Sequence, residues 1–122
     1  MTDVELLARA DAIAKRAYAP YSSFQVGVAV LARDGKVIEG VNVESGAYPL
    51  GVCAEKNAIS TAITQGYRPG HFEAIAINAS PCGGCRQWLA EMGFERVTFR
   101  NRGEVVTMTP AELLPESFEL AD

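Results

Sequence analysis

Long apolar runs are missing from this chain of 122 residues. No stretch approaches the roughly 20 apolar residues of a membrane span. The opening Met1 to Ala12 contains acids and no long apolar run, so it reads as neither a signal peptide nor an anchor. Internal repeats, low-complexity tracts and linkers are also missing, and one compact domain over residues 1–122 is expected. Positive charge is scarce: 11 Lys and Arg stand against 15 Asp and Glu, giving a net charge of -4. The basic residues are scattered. That argues against a nucleic-acid groove, because phosphate binding needs clustered Lys and Arg. Histidine is nearly absent. The single one, His71, follows Pro69-Gly70 in an expected loop and reads as a surface residue.

Cysteine is scarce as well, and the number matters. Three cysteines cannot all pair within one chain. The chain reads as cytoplasmic, where thiols stay reduced, and close-set cysteines there favour metal or redox chemistry.

Apolar residues are abundant, at 48%, enough for a core covered on both sides. A domain of this size buries only about two-thirds of its unfolded surface, so oligomerisation would help it. Val4, Leu7, Ala8, Ala10, Ile13, Ala14 and Ala17 recur at helical spacing and predict a first helix that ends before Pro20. Phe24 to Ala32 is apolar but for Gln25 and predicts a strand buried on both faces. Asp34-Gly35 is a hairpin signal, followed by a strand from Lys36 to about Val43. Ser45 to Gly51 reads as loop. Cys53 to Gln65 predicts a helix with an apolar stripe at Ala54, Ala58, Ile59, Ala62 and Ile63, closed by Gly66. A third strand spans Phe72 to Asn78. Ser80 is the expected N-cap of a helix over Cys82 to Met92, with Pro81 in its first turn. Strands follow at Glu95 to Arg100 and Glu104 to Thr107, then a short turn from Thr109-Pro110. The order α-β-β-α-β-α-β-β implies an α/β fold: a single-domain three-layer α-β-α sandwich around a mixed five-stranded sheet.

Cys82-Gly83-Gly84-Cys85 offers two sulfurs at the spacing of a zinc chelate, although a bare pair of this kind also serves redox chemistry. Cys53-Ala54-Glu55 adds a third sulfur and a carboxylate two residues on. No fourth cysteine exists, so a closed four-sulfur site is impossible. Three protein ligands with the fourth position open are the arrangement of a catalytic zinc, which acidifies a bound water. Both clusters begin helices, whose free N–H groups and positive dipole ends stabilise thiolates. Three thiolates and one Zn²⁺ still leave a negative excess. Lys56 and Arg86, directly after the motifs, are candidates to offset it, the alternative for each being a solvated surface cation. A Cys or His ligand, a Glu two residues on and a later P-C-x-x-C form the signature already known for zinc-dependent base deaminases.

With these motifs in view, the sequence resembles the small, homotetrameric class of cytidine deaminases, from Tyr18 to Phe118. The similarity includes Pro20-Tyr21-Ser22-Ser23-Phe24-Gln25-Val26-Gly27 and Gly40-Val41-Asn42-Val43-Glu44. It continues through Cys53-Ala54-Glu55-Lys56, Pro81-Cys82-Gly83-Gly84-Cys85-Arg86-Gln87 and Leu113-Leu114-Pro115-Glu116-Ser117-Phe118. The resemblance implies a cytidine deaminase-like fold, one Zn²⁺ per chain on Cys53, Cys82 and Cys85, and Glu55 as proton shuttle. It implies that Asn42 and Glu44 bind the ribose hydroxyls, that Phe24 packs on the pyrimidine, and that the backbone at Ala54 contacts the base. Tyr48 and Phe118 fall where the class brings residues to a site shared between subunits. The implied reaction is hydrolytic deamination of cytidine and deoxycytidine to uridine and deoxyuridine, a step of pyrimidine salvage. The partners are a free nucleoside and three further copies of the chain, with no nucleic acid and no membrane. A deaminase of a nucleoside analogue and a non-catalytic zinc-binding module are the alternatives.

The sequence departs from the class at Lys56, where Arg is usual; a Lys is a point charge without the planar fork. Ser45-Gly46-Ala47 replaces the commoner Asn-Ala-Ser, and the stretch before Pro81 is a few residues short.

Overall fold

Thr2 starts the first helix, α1 (Asp3–Ile13), through a capping box: its hydroxyl accepts from the Glu5 N–H at 3.1 Å and the Glu5 carboxylate accepts from the Thr2 N–H at 2.9 Å. The computed structural model describes residues 1–120, so the last two residues of the expected domain lie outside the described residues. Leu6, Leu7, Ala10 and Ala14 form the buried face of this segment. The predicted stripe is corrected: Ala8 is exposed, and Val4 is 71% exposed while Leu6 takes its place. Val4 and Leu6 stand about 200° apart around a helix, so only one of them can face the sheet. The helix tightens into a 3₁₀ turn at Ala14–Arg16 and stops there, short of Pro20.

The strands are β1 (Gly27–Ala32), β2 (Val37–Val41), β3 (Phe72–Ile77), β4 (Arg96–Asn101) and β5 (Glu104–Met108), in the sheet order β2-β1-β3-β4-β5. β1 and β2 form the predicted hairpin, with Gly35 at φ +90° and the Asp34 carboxylate accepting from the Lys36 N–H. Among the strands of the described residues only β3 and β4 pair in parallel, because a helix, α3 (Gly83–Met92), carries the chain between them. Every residue of β1 is buried, as its unbroken apolar run predicts. The ladder begins at Gly27, however, not at Phe24, and Phe24 stands outside it with 60% of its surface exposed.

The three layers are as expected. Ala29 and Leu31 of β1, with Ala74 and Ala76 of β3, face Leu6, Leu7 and Ala10 of α1. Val28, Val30, Ile75 and Ile77 face the other way, onto Ala58, Ile59 and Ala62 of α2 (Ala54–Thr64) and Leu89 of α3. Two glycines bring helices onto strands. A Cβ at Gly40 would lie 2.6 Å from the Ala58 nitrogen and 2.8 Å from the Ala54 carbonyl. A Cβ at Gly27 would strike the Ala10 carbonyl and sit 2.6 Å from the Ala14 nitrogen. Both contacts are with helix backbone, which cannot yield as a side chain would. Half-exposed ion pairs, Arg96 with Asp3 at 3.0 Å and Arg100 with Asp11, hold α1 in register. Each contributes no more than about 1 kcal/mol. A capped turn, α4 (Pro110–Leu113), begins at Thr109.

One predicted cap is also corrected. Cys82, not Ser80, is the N-cap of α3, and Pro81 precedes the cap. Gly83 and Gly84 already adopt the helical turn, which leaves the Ser80 hydroxyl free to accept from Arg86 at 3.2 Å.

Candidate metal centre

Two helices begin at the same place. Cys53 is the N-cap of α2, Cys82 is the N-cap of α3, and Cys85 lies in the first turn of α3. Neither N-cap side chain makes a regular capping hydrogen bond, although the Cys85 N–H, in the first turn of α3, stabilises the Cys82 sulfur. The three Sγ atoms lie within 4.8 Å of one another. A tetrahedral zinc with sulfurs at about 2.3 Å holds them about 3.8 Å apart. The trio therefore fits the ion with at most a small contraction.

The thiols differ in setting. Cys85 is fully buried, Cys53 half-buried and Cys82 exposed. Burial pushes the Cys85 thiol well above its ordinary value, helped by the nearby Glu55 and Cys53. Burial likewise raises Cys53, partly offset by a hydrogen bond with Cys85. At Cys82 the same burial is outweighed by donors, chiefly the Cys85 backbone N–H, and its thiol is lowered. Three close sulfurs of which two resist ionisation suit a divalent cation, whose charge would remove that resistance.

Glu55 follows Cys53 by two residues, on the first turn of α2, and only 4% of its surface is exposed. Desolvation raises its carboxyl above the usual range, moderated by its own N–H, the Cys85 thiol and the Lys56 charge. Buried carboxyls held near neutrality serve proton transfer. The Lys56 ammonium stands 5.9 Å from the centre of the Trp88 ring, a cation–π arrangement between α2 and α3. The Arg86 guanidinium donates to the Pro81 carbonyl at 2.9 Å, the Leu113 carbonyl at 2.9 Å and the Ser80 hydroxyl. It ties the Cys82 loop to α4.

The other expected residues occupy three places: the start of α2, the cavity beside the 21–24 turn, and the outer side of α3. Ala54 is buried at the start of α2 between Cys53 and Glu55. Glu44 and Tyr48 line a cavity of about 290 Å³ with Tyr21, Ser22, Ser45 and Gly51. The Tyr21 and Tyr48 rings meet edge to face at 5.7 Å. Gly46, in the loop that departs from the usual pattern, leaves room for the Tyr21 hydroxyl, which a Cβ would meet at 3.0 Å. Phe118 is 65% exposed, and its backbone is held on α3 by Gln87, which donates to its carbonyl at 2.8 Å and accepts from its N–H at 3.2 Å. Gln87, Ser22 and Asn78 also hold backbone in this region, and the sequence motifs assigned none of them a role. Backbone bonds of this kind leave no mark on composition or periodicity. His71 is at the surface, its Nδ1 accepting from the Arg68 N–H, as expected.

The first 101 residues match the cytidine and deoxycytidylate deaminase zinc-binding region. The chain belongs to this deaminase family. A cytidine deaminase of Sporosarcina psychrophila is 42% identical over a 130-residue alignment covering 98% of this chain and 94% of that protein. The crystal structure of a cytidine deaminase from Burkholderia pseudomallei superposes with a TM-score of 0.89 at 42% identity, covering 97% of this chain and 100% of that one. That of Mycobacterium tuberculosis gives 0.84 at 34% identity, covering 98% and 99%. The fold is therefore that of the family's cytidine deaminases, and the family is a zinc-binding one, in keeping with the sulfur trio.

Proposed function

We propose that this family member deaminates cytidine and deoxycytidine to uridine and deoxyuridine, releasing ammonia. The observation that carries this reading is Glu55, a buried carboxyl beside three converging sulfurs that leave a zinc's fourth position to a water. Cys53, Cys82 and Cys85 would hold the ion, which when bound supplies Lewis acidity toward that water. Glu55 takes the proton of the attacking water and delivers it to N3 of the cytosine as C4 is attacked. The same carboxylate then takes the proton of the new C4 hydroxyl and passes it to the amine, which leaves as ammonia as the C4 carbonyl forms. The backbone at Ala54 contacts the base and Phe24 packs on its face. Asn42 and Glu44 bind the ribose. Lys56 and Arg86 place fixed positive charge near the thiolates, Arg86 also by bracing the Cys82 loop.

A homotetramer completes the reading, with Tyr48 and Phe118 contributing to sites shared between subunits. Support comes from exposed apolar side chains on one chain: Tyr48 at 73%, Leu50 at 72%, Phe118 at 65% and Phe24 at 60%. Exposed apolar side chains that form a contiguous patch mark an interaction surface. No helix among the described residues is long and apolar enough to cross a membrane. Free cysteines as metal ligands fit a reducing compartment, and we place the enzyme in the cytoplasm, in pyrimidine salvage, acting on free nucleosides and not on nucleic acid.

The test is direct. Purified, zinc-loaded protein should consume cytidine, read as loss of its ultraviolet absorbance, with uridine as product. Light scattering should give four times the mass of one chain. No turnover on cytidine or deoxycytidine would overturn the substrate assignment, and an active monomer would overturn the assembly.

A further inference from the structure

The segment leading into β1 is held by side chains where strands have run out. β2 ends at Val41 and β3 at Ile77, and the next residue on each is an asparagine. The register that pairs Gly27 with Val41 sets Asn42 opposite Val26, and the one that pairs Val28 with Ile77 sets Asn78 opposite Gly27. Asn42 accepts from the Val26 N–H at 2.9 Å and donates to the Phe24 carbonyl at 2.8 Å. Asn78 accepts from the Gly27 N–H at 2.9 Å and donates to the Gln25 carbonyl at 3.1 Å. Alternate residues of an extended chain aim their backbone groups to opposite sides. Residues 24 and 26 are therefore held from the β2 side, and 25 and 27 from the β3 side. Each amide stands in for one peptide group of a strand that has ended.

The front of the segment is fastened too. One Glu44 oxygen accepts from the Tyr21 N–H at 2.9 Å and the Ser22 N–H at 3.1 Å; the other accepts from the Ser22 hydroxyl. The Ser22 oxygen in turn accepts from the Phe24 N–H at 3.0 Å. Between them Ser23 is left-handed, at φ +59°, a conformation that persists in a non-glycine residue only where its surroundings over-determine it. Both backbone polar groups of Phe24 are thus bonded to side chains, while its ring is exposed.

We propose that Ser22 and Asn78 are positioning residues that set the Phe24 ring, and that Asn42 shares this work besides binding ribose. The inference rests on the reading of Phe24 as the face on which the base packs. It implies that sugar recognition and base packing are coupled through Asn42, and that Asn78, which lies on the far side of the segment from β2, matters to a substrate by way of Gln25 and Gly27.

The probe is 2′,3′-dideoxycytidine, which lacks the 2′ and 3′ hydroxyls of the ribose, assayed beside cytidine. Asn78→Ala, Ser22→Ala and Asn42→Ala should each raise KM for both substrates roughly tenfold, the scale of one or two lost hydrogen bonds. The effect on kcat should be smaller. In a Phe24→Ala background Ser22→Ala and Asn78→Ala should change KM by less than about twofold on either substrate, and Asn42→Ala by less than about twofold on the dideoxy substrate, because the ring they position is gone. Amide hydrogen exchange on the substrate-free protein should quicken roughly tenfold or more across residues 22–27 in Asn78→Ala, while β3 and β4 keep their protection. Should that variant fail to fold, Asn78→Asp keeps the acceptor for Gly27, loses the donor to Gln25 and should show the same local quickening. Unchanged exchange in 22–27, or an equal KM rise for Ser22→Ala and Asn78→Ala with and without Phe24, overturns the proposal. If Phe24→Ala alone leaves KM unchanged, the base-packing reading has failed, and with it the claim that these residues serve the substrate.

Discussion

Glu55→Gln is expected to lose about 10³–10⁴-fold in turnover on cytidine while retaining zinc and fold. A positioned acid–base group contributes roughly 10²–10⁴-fold, and this one acts at two proton transfers, which places the loss toward the upper end. Glutamine matches the volume of the buried side chain and can still hydrogen-bond, so packing around α2 is undisturbed. The carboxyl's raised affinity for its proton comes from desolvation. Replacing it with a neutral amide removes that cost of ionisation, and the melting temperature should hold or rise slightly. Steady-state kinetics, metal analysis and a thermal melt on the same preparation decide it. Turnover within tenfold of the parent would take Glu55 out of the mechanism, and loss of zinc would make it a ligand.

The second large effect is at Cys85. Cys85→Ala should leave well under one zinc per chain and abolish turnover, because two sulfurs remain where three converge. Zinc bound by the folded trio and not by the unfolded chain stabilises by mass action, about 4 kcal/mol at a free concentration 1,000 times the Kd. A chelator should therefore lower the parent's melting temperature by several degrees or more. It should leave the Cys85→Ala melt unmoved, since that protein has no bound ion to lose. The buried position adds a modest cavity cost to the variant itself. A full zinc complement in Cys85→Ala, or a parent indifferent to chelator, would contradict the assignment of the trio.

Much of this was legible in order along the chain. The unbroken run in β1, the Asp34-Gly35 turn and the Gly-Gly between Cys82 and Cys85 each act over a few residues, so local physics sufficed for them. The errors have local physics too, defeated by distance. Val4 matched the helical period as well as Leu6 might, but which side of α1 meets the sheet depends on Ala29, Leu31, Ala74 and Ala76. Phe24 continued an apolar run, yet the strand could begin only where β2 and β3 still offered backbone partners. Ser80 had the chemistry of an N-cap, but Cys82 holds that position and the serine meets Arg86 instead.

By itself the sequence named the candidate ligands and the candidate shuttle. Residue types and short spacings are chemical facts, and three cysteines exclude a closed four-sulfur site in any fold. Only the tertiary structure decided that the N-terminus of α2, nearly thirty residues before that of α3, meets it closely enough to bring three sulfurs within 4.8 Å. It alone set the Lys56 ammonium over Trp88, buried Glu55, and turned Asn42 and Asn78 into substitutes for missing strand. The reason is the same in each case. These are contacts between segments far apart in the chain, made by helices that stand on glycines of the sheet, and no local pattern encodes which distant backbone will arrive.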